Sequence, residues 1–281
     1  MGIHEQEELL FKDWIIHLKE RMNPEEVENL WCPDGLHHTG IAEKCNQKYW
    51  SMIEDHKEED LWHKARIRPL FLTKDHNLND DSCGVDVRNE TGKDNDTDRL
   101  YHRFYARYLL FLYGLTKINP EDGTYPSLEE AKDSLNELES NYYQFPVVRM
   151  NLKKIAGGNS CSNDDLQDYI DNDIDFIRRQ IAIYQPNVIV CCHGGKYQPR
   201  WSEPDTGLNP MMMMLKNEIY PDMESVKFNE VESYNLYYSQ KVKVLIIHEW
   251  HPSEWNRSYE DYYSPIPEVA KFLYENPDSI G

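Results

Sequence analysis

The chain has 281 residues, with 50 acidic side chains against 30 basic ones and a formal net charge of -20. That length buries a real core, as one large domain or a core with a cap, while apolar runs no longer than a strand exclude a bilayer span, and six cysteines are too few for a disulfide framework. The acidic balance excludes a protein that embraces nucleic acid over its whole surface, because duplex binding rests on Lys and Arg neutralising phosphates; only a local basic face is compatible with it.

The first residues, Met1-Gly2-Ile3-His4-Glu5, lack the basic and apolar pattern of an export leader, and Gln6 stands where a myristoylation site needs Ser or Thr. The cysteines are therefore expected to be reduced thiols of a cytoplasmic protein. Residues 5–22 place Leu9, Leu10, Trp14, Ile15 and Leu18 on one helical face. Pro24 precedes a short helix, Cys32-Pro33-Asp34-Gly35 is turn chemistry, and residues 41–60 read as a helix with an acidic end. Residues 1–62 are thus expected to form a helical cap on a core of residues 63–281.

Residues 66–73 read as the first strand. Residues 77–99, rich in Asn, Asp and Gly, read as a long loop of the kind that more often serves a function than stands idle. Residues 100–113 are helical and apolar on most sides, and Ser127 opens a surface helix with Glu129 and Glu130 in its first turn. Residues 145–151 are a second strand. Leu166, Ile170, Ile174, Ile177, Ile181 and Tyr184 define a helix over 164–184, capped by Ser162 and ended by Pro186. Residues 187–192 form a third strand, 225–238 a hairpin and 242–248 a fourth strand, and Pro267 starts a C-terminal helix. Met211 to Met214 either pack as a helix on the core or form an apolar wedge for a base stack.

Short continuous apolar strands alternating with helices predict an α/β fold, a three-layer α/β/α sandwich on a four-stranded parallel sheet. Ligands bind such sheets at the carboxyl ends of the strands. All four strands run out into polar or glycine residues, at Asp75, Asn151, His193-Gly194-Gly195 and His251.

An acid after the first strand (Thr73-Lys74-Asp75-His76-Asn77), a polar residue ending the second (Asn151), a glycine turn after the third (Gly194-Gly195) and a complete His251-Pro252-Ser253 after the fourth resemble the motifs of the uracil-DNA glycosylase superfamily. The resemblance covers roughly residues 66–275. It implies a monofunctional DNA glycosylase that needs no cofactor, acts on DNA as a monomer, and flips out the target base. Asp75 would stabilise the sugar cation and orient a water, and His251 would donate a hydrogen bond to the departing base. His76, Asn77, Asn151, Gly194 and Ser253 would line the base site, and Lys153, Lys154, Lys196, Arg200 and Ser253 would hold phosphates.

The chain departs from the family at Asn77, where typical members carry a tyrosine that narrows the pocket. A wider, more polar site favours a bulky or modified base, with repair or defence against phages carrying modified DNA as the setting. Two other classes remain open: an N-ribosyl hydrolase of free nucleosides or nucleotides, which suits the acidic charge, and a non-enzymatic acidic binder or DNA mimic. Each residue also has a structural alternative. Asp75 can cap a turn or pair with Lys74 or Arg68, His251 can belong to a rigid turn, and the lysines can be solvated surface charge. The cysteines lack the spacing of an iron–sulfur cluster, and no metal is expected. Cys32, His37, His38 and Cys45 form a set too irregular in spacing to assign to zinc.

Overall fold

A computed structural model describes residues 1–44, 50–75, 86–89, 102–140, 145–157, 161–193, 209–252 and 257–280. The N-terminal part holds helices α1 (Ile3–Arg21) and α2 (Pro24–Leu30), strands β1 (Gly35–Leu36), β2 (Gly40–Lys44) and β3 (Trp50–Glu54), and helix α3 (Glu58–Lys64). Strand β4 (Pro69–Thr73) follows, then helices α4 (His102–Thr116), α5 (Leu128–Asp133) and α6 (Leu135–Ser140), and strand β5 (Val148–Asn151). Helix α7 (Asn163–Tyr184), strand β6 (Val188–Cys192), helix α8 (Pro210–Met214) and strands β7 (Glu224–Phe228), β8 (Val231–Ser239) and β9 (Val244–Glu249) come next. Helices α9 (Tyr259–Tyr263) and α10 (Pro265–Glu275) close the chain.

The main sheet has seven strands in the order β1-β5-β4-β6-β9-β8-β7. Its centre, β5-β4-β6-β9, is the parallel set read from the sequence. The expectation of four strands is too small, because antiparallel β1 is added at one edge and the antiparallel β8 and β7 at the other. Two-residue β1 is too short to carry a periodic signal. The β7–β8 hairpin was legible, but not its pairing with β9.

Side chains alternate across this sheet into two cores. Leu70, Leu72, Val148, Met150, Ile189, Cys191 and Ile246 face α1, α7 and α8, with Trp14, Leu166, Ile177 and Met212 packed over them. Phe71, Val190, Cys192, Leu245 and Ile247 face α4 and α10, through Tyr108, Leu112, Val269 and Phe272. The result is a layer of helices on each face of the sheet. Met211 and Met212 are fully buried, so the methionine run packs on the core and is no wedge.

The N-terminal part is not a purely helical cap. Residues 40–54 form the antiparallel β2–β3 pair, in which Ile41 faces Ile53. Gly40 starts it because a Cβ there would meet the Ile53 carbonyl oxygen at 2.0 Å. A third strand from the same part, β1, completes the main sheet. Its turn needs Gly35, at φ +147°, where a Cβ would lie 2.1 Å from Glu7 Oε1. That buried Glu7 accepts from the Leu36 N–H at 2.9 Å and the Tyr184 hydroxyl at 2.8 Å, which locks α1 and β1 onto α7.

Candidate active site at the carboxyl edge of the sheet

The parallel strands run in the spatial order second, first, third, fourth. Connections leave in opposite directions on either side of the gap between β4 and β6, which makes that gap the switch point where open α/β sheets bind ligands. Lys74 and Asp75 follow β4 there, and His193 follows β6. The strand ends are held together past their last paired residues. The Lys153 N–H donates to the Lys74 carbonyl at 2.8 Å and the His193 N–H to the Glu249 carbonyl at 3.0 Å.

Asp75 is half-buried. Its Oδ2 lies 3.4 Å from the point where a Gly157 Cβ would stand, and Lys153 Nζ lies 2.8 Å from the same point, so the carboxylate and the ammonium share one side of the β5 turn. The Lys153 ammonium also sits 5.4 Å from the Tyr169 ring centroid. The buried Cys161 thiol registers this group. Burial raises its pKa, Asp75 adds to the rise, and Lys153 and Lys74 oppose it.

Asn151 ends β5 and is buried. Its Oδ1 accepts from the Thr73 hydroxyl, the residue opposite it in the β4–β5 register. Its N–H donates to Asp34 Oδ2 at 2.7 Å. Asp34 Oδ1 accepts from the Lys154 ammonium and from Gln180 Nε2 at 2.9 Å. Lys154 is 1% exposed, with its ammonium also 5.0 Å from the Trp14 ring centroid. This overturns the reading of Lys154 as a phosphate contact, since its charge is spent inside the fold on Asp34.

His251 lies two residues beyond β9. Burial, then the charges of Arg149 and Lys74, push its pKa down to about 4. His193 is pushed to about 3 by burial and then by Lys74, His248 and His251. Both rings are therefore neutral at pH 7, inside a field made positive by Lys74 and Arg149. Adjacent strands are about 4.8 Å apart, and β6 alone separates β4 from β9, so the strand ends that precede Asp75 and His251 stand roughly 10 Å apart.

Several participants escaped the sequence reading. Arg107 of α4 is buried and donates to the Pro252 carbonyl at 3.0 Å and to the Arg257 carbonyl, tying together the described residues on either side of positions 253–256. An arginine set directly against the apolar Tyr108-Leu109-Leu110-Phe111-Leu112 was the signal available for it. Glu249 is buried with its carboxyl pushed well above the usual range by that burial, and its Oε1 accepts from the Trp250 N–H at 2.8 Å. His248, one residue earlier, faces the opposite core, where its Nε2 lies 2.8 Å from Asn209 Nδ2, the cap of α8. His76, Asn77, Gly194, Lys196, Arg200 and Ser253 lie outside the described residues, as does most of the 77–99 loop.

No family model matches the chain, and no curated protein matches it either.

Proposed function

We propose that the chain is a monofunctional DNA glycosylase that hydrolyses the N-glycosidic bond of a flipped-out, bulky or modified base. The observation that carries this reading is the placement of a carboxylate, Asp75, past the end of β4 and of an imidazole, His251, past the end of β9, on the same carboxyl edge of the parallel strands. Cleavage of the bond builds positive charge on the sugar and negative charge on the base. A carboxylate under the sugar stabilises the first and orients the attacking water. A neutral imidazole donates a hydrogen bond to the second without giving up a full proton, and the Lys74 and Arg149 charges stabilise the same anion. Extruding the nucleotide costs a few kcal/mol, roughly 2–4, which stacking in the site must offset. The products are free base and an abasic strand with its backbone intact, in a setting of base-excision repair or defence against phages with modified DNA.

A second reading, an N-ribosyl hydrolase of free nucleosides, draws support from the net charge of -20 and from the burial of Lys154, which removes one cation from the expected phosphate contacts. Incubation of the protein with modified-base DNA and, separately, with the matching nucleosides separates the two. Base released from DNA alone supports the glycosylase. Base released from nucleosides but not from DNA transfers the site to the second reading. Release from neither removes both.

A further inference from the structure

Far from the sheet edge, three segments bring side chains of metal-binding chemistry to one point. His4 lies in the first turn of α1, His38 follows β1, and Glu58 begins α3. His4 Nε2 lies 3.0 Å from Glu58 Oε1, and His38 Nδ1 lies 3.2 Å from that same oxygen. The two rings stack with centroids 4.4 Å apart. Among the described residues, this is the one group of three or more His, Cys, Asp or Glu side chains whose ligand atoms all lie within 4.8 Å of one another.

The surroundings fix each ligand. His4 Nδ1 is 2.7 Å from Glu7 Oε2, and Glu7 is itself fully buried and held by Arg88 Nη1 at 3.0 Å. A carboxylate on the far nitrogen of a histidine sets the tautomer and raises the basicity of the near one, the arrangement that supports metal-ligating imidazoles. The other oxygen of Glu58 accepts from the Thr39 hydroxyl at 3.1 Å and the Thr39 N–H at 3.3 Å, which aims Oε1 at the rings. Both nitrogens of His4 meet carboxylates, so without an ion the cluster is held by a His4 imidazolium and by the Nδ1–H of His38. A divalent ion bound to His4 Nε2 and His38 Nδ1 takes the place of those two protons against the same Glu58 oxygen. Zinc bonds of about 2.0–2.1 Å give tetrahedral ligand-to-ligand edges of roughly 3.3–3.4 Å, close to the 3.0 and 3.2 Å observed.

We propose that His4, His38 and Glu58 bind a divalent transition metal ion of the zinc class. Nitrogen and carboxylate donors in this ratio suit zinc, cobalt or nickel and disfavour magnesium or calcium, which take oxygen. Glu54 Oε2, 3.7 Å from His38 Nδ1, is the nearest candidate for a further ligand, with water as the other. The ion joins α1, the segment after β1 and α3, so its role is to clip the N-terminal part together. The site replaces the irregular set considered from the sequence. His38 is shared between the two, whereas Cys32 packs in an apolar cluster with Val87 and Ala156, and Cys45 lies outside the described residues.

The test uses the untagged chain of 281 residues, stripped with a chelator and titrated with zinc chloride in a calorimeter, with cobalt absorption as a second reading. One ion per chain and a tetrahedral cobalt spectrum are expected, with a thermal midpoint that rises on zinc addition. His38→Ala should weaken zinc binding at least tenfold, and Glu7→Gln, which touches no metal, by about 10–100-fold. Absence of stoichiometric binding to the wild-type protein overturns the proposal whatever the variants do, and so does undiminished binding in a folded His38→Ala protein.

Discussion

At the residue scale, Asp75 and His251 differ in what their loss removes. In the proposed mechanism, Asp75→Asn keeps the shape and deletes the charge beneath the sugar, while His251→Ala deletes the hydrogen bond to the departing base. Single-turnover base release should fall roughly 10²-fold or more in each, as for other preorganised electrostatic contacts, with circular dichroism unchanged. His251 should also be visible by its titration. Its folded pKa of about 4 lies below the ordinary 6.5, so the unfolded chain binds more protons between those values. The stability that the neutral ring contributes is complete above pH 6.5 and is lost as pH falls toward 4. Comparison of urea midpoints for wild type and His251→Gln should show a shallower acid loss in the variant over that window. Equal slopes would mean that the ring titrates normally.

At the scale of elements, Lys154 and Arg107 carry opposite lessons. Lys154 follows a strand end beside Lys153, and the sequence offers no way to tell the two apart. What separates them is Asp34, a partner 120 residues away. Lys154→Met leaves that carboxylate buried without its cation and should cost about 3–5 kcal/mol in chemical unfolding. Arg107→Met leaves the Pro252 and Arg257 carbonyls without this donor, which costs about 1–3 kcal/mol for a buried group. It should slow base release as well, because the backbone at Pro252, next to His251, loses its support. Regular periodicity made α7 and the four parallel strands legible, since each buries a face that recurs along the chain. The β2–β3 pair was misread as a helix because its pairing depends on the contact at Gly40 rather than on a repeating pattern. The positions of Asp75 and His251, just past parallel strands, were legible because the strands themselves were. Arg107 and Glu249 were not, because their roles depend on α4 and β9 meeting at the edge of the sheet.

At the scale of the whole molecule, a net charge of -20 opposes DNA, so binding must rest on few cations. Lys153, beside Asp75, is the described lysine left from the expected phosphate set once Lys154 is removed. Lys153→Ala should reduce the slope of log affinity against log salt by about 0.9 on duplex DNA, whereas Lys154→Met should leave it unchanged. The central claim, that the carboxyl edge of this sheet breaks N-glycosidic bonds, is tested most directly by mass spectrometry of base released from a panel of modified DNAs by wild type and Asp75→Asn. Free modified base and an abasic, unbroken strand are expected from the wild type, and a rate roughly 10²-fold lower from the variant. Release at the same rate by both proteins, or no base released from any DNA in the panel, would contradict it.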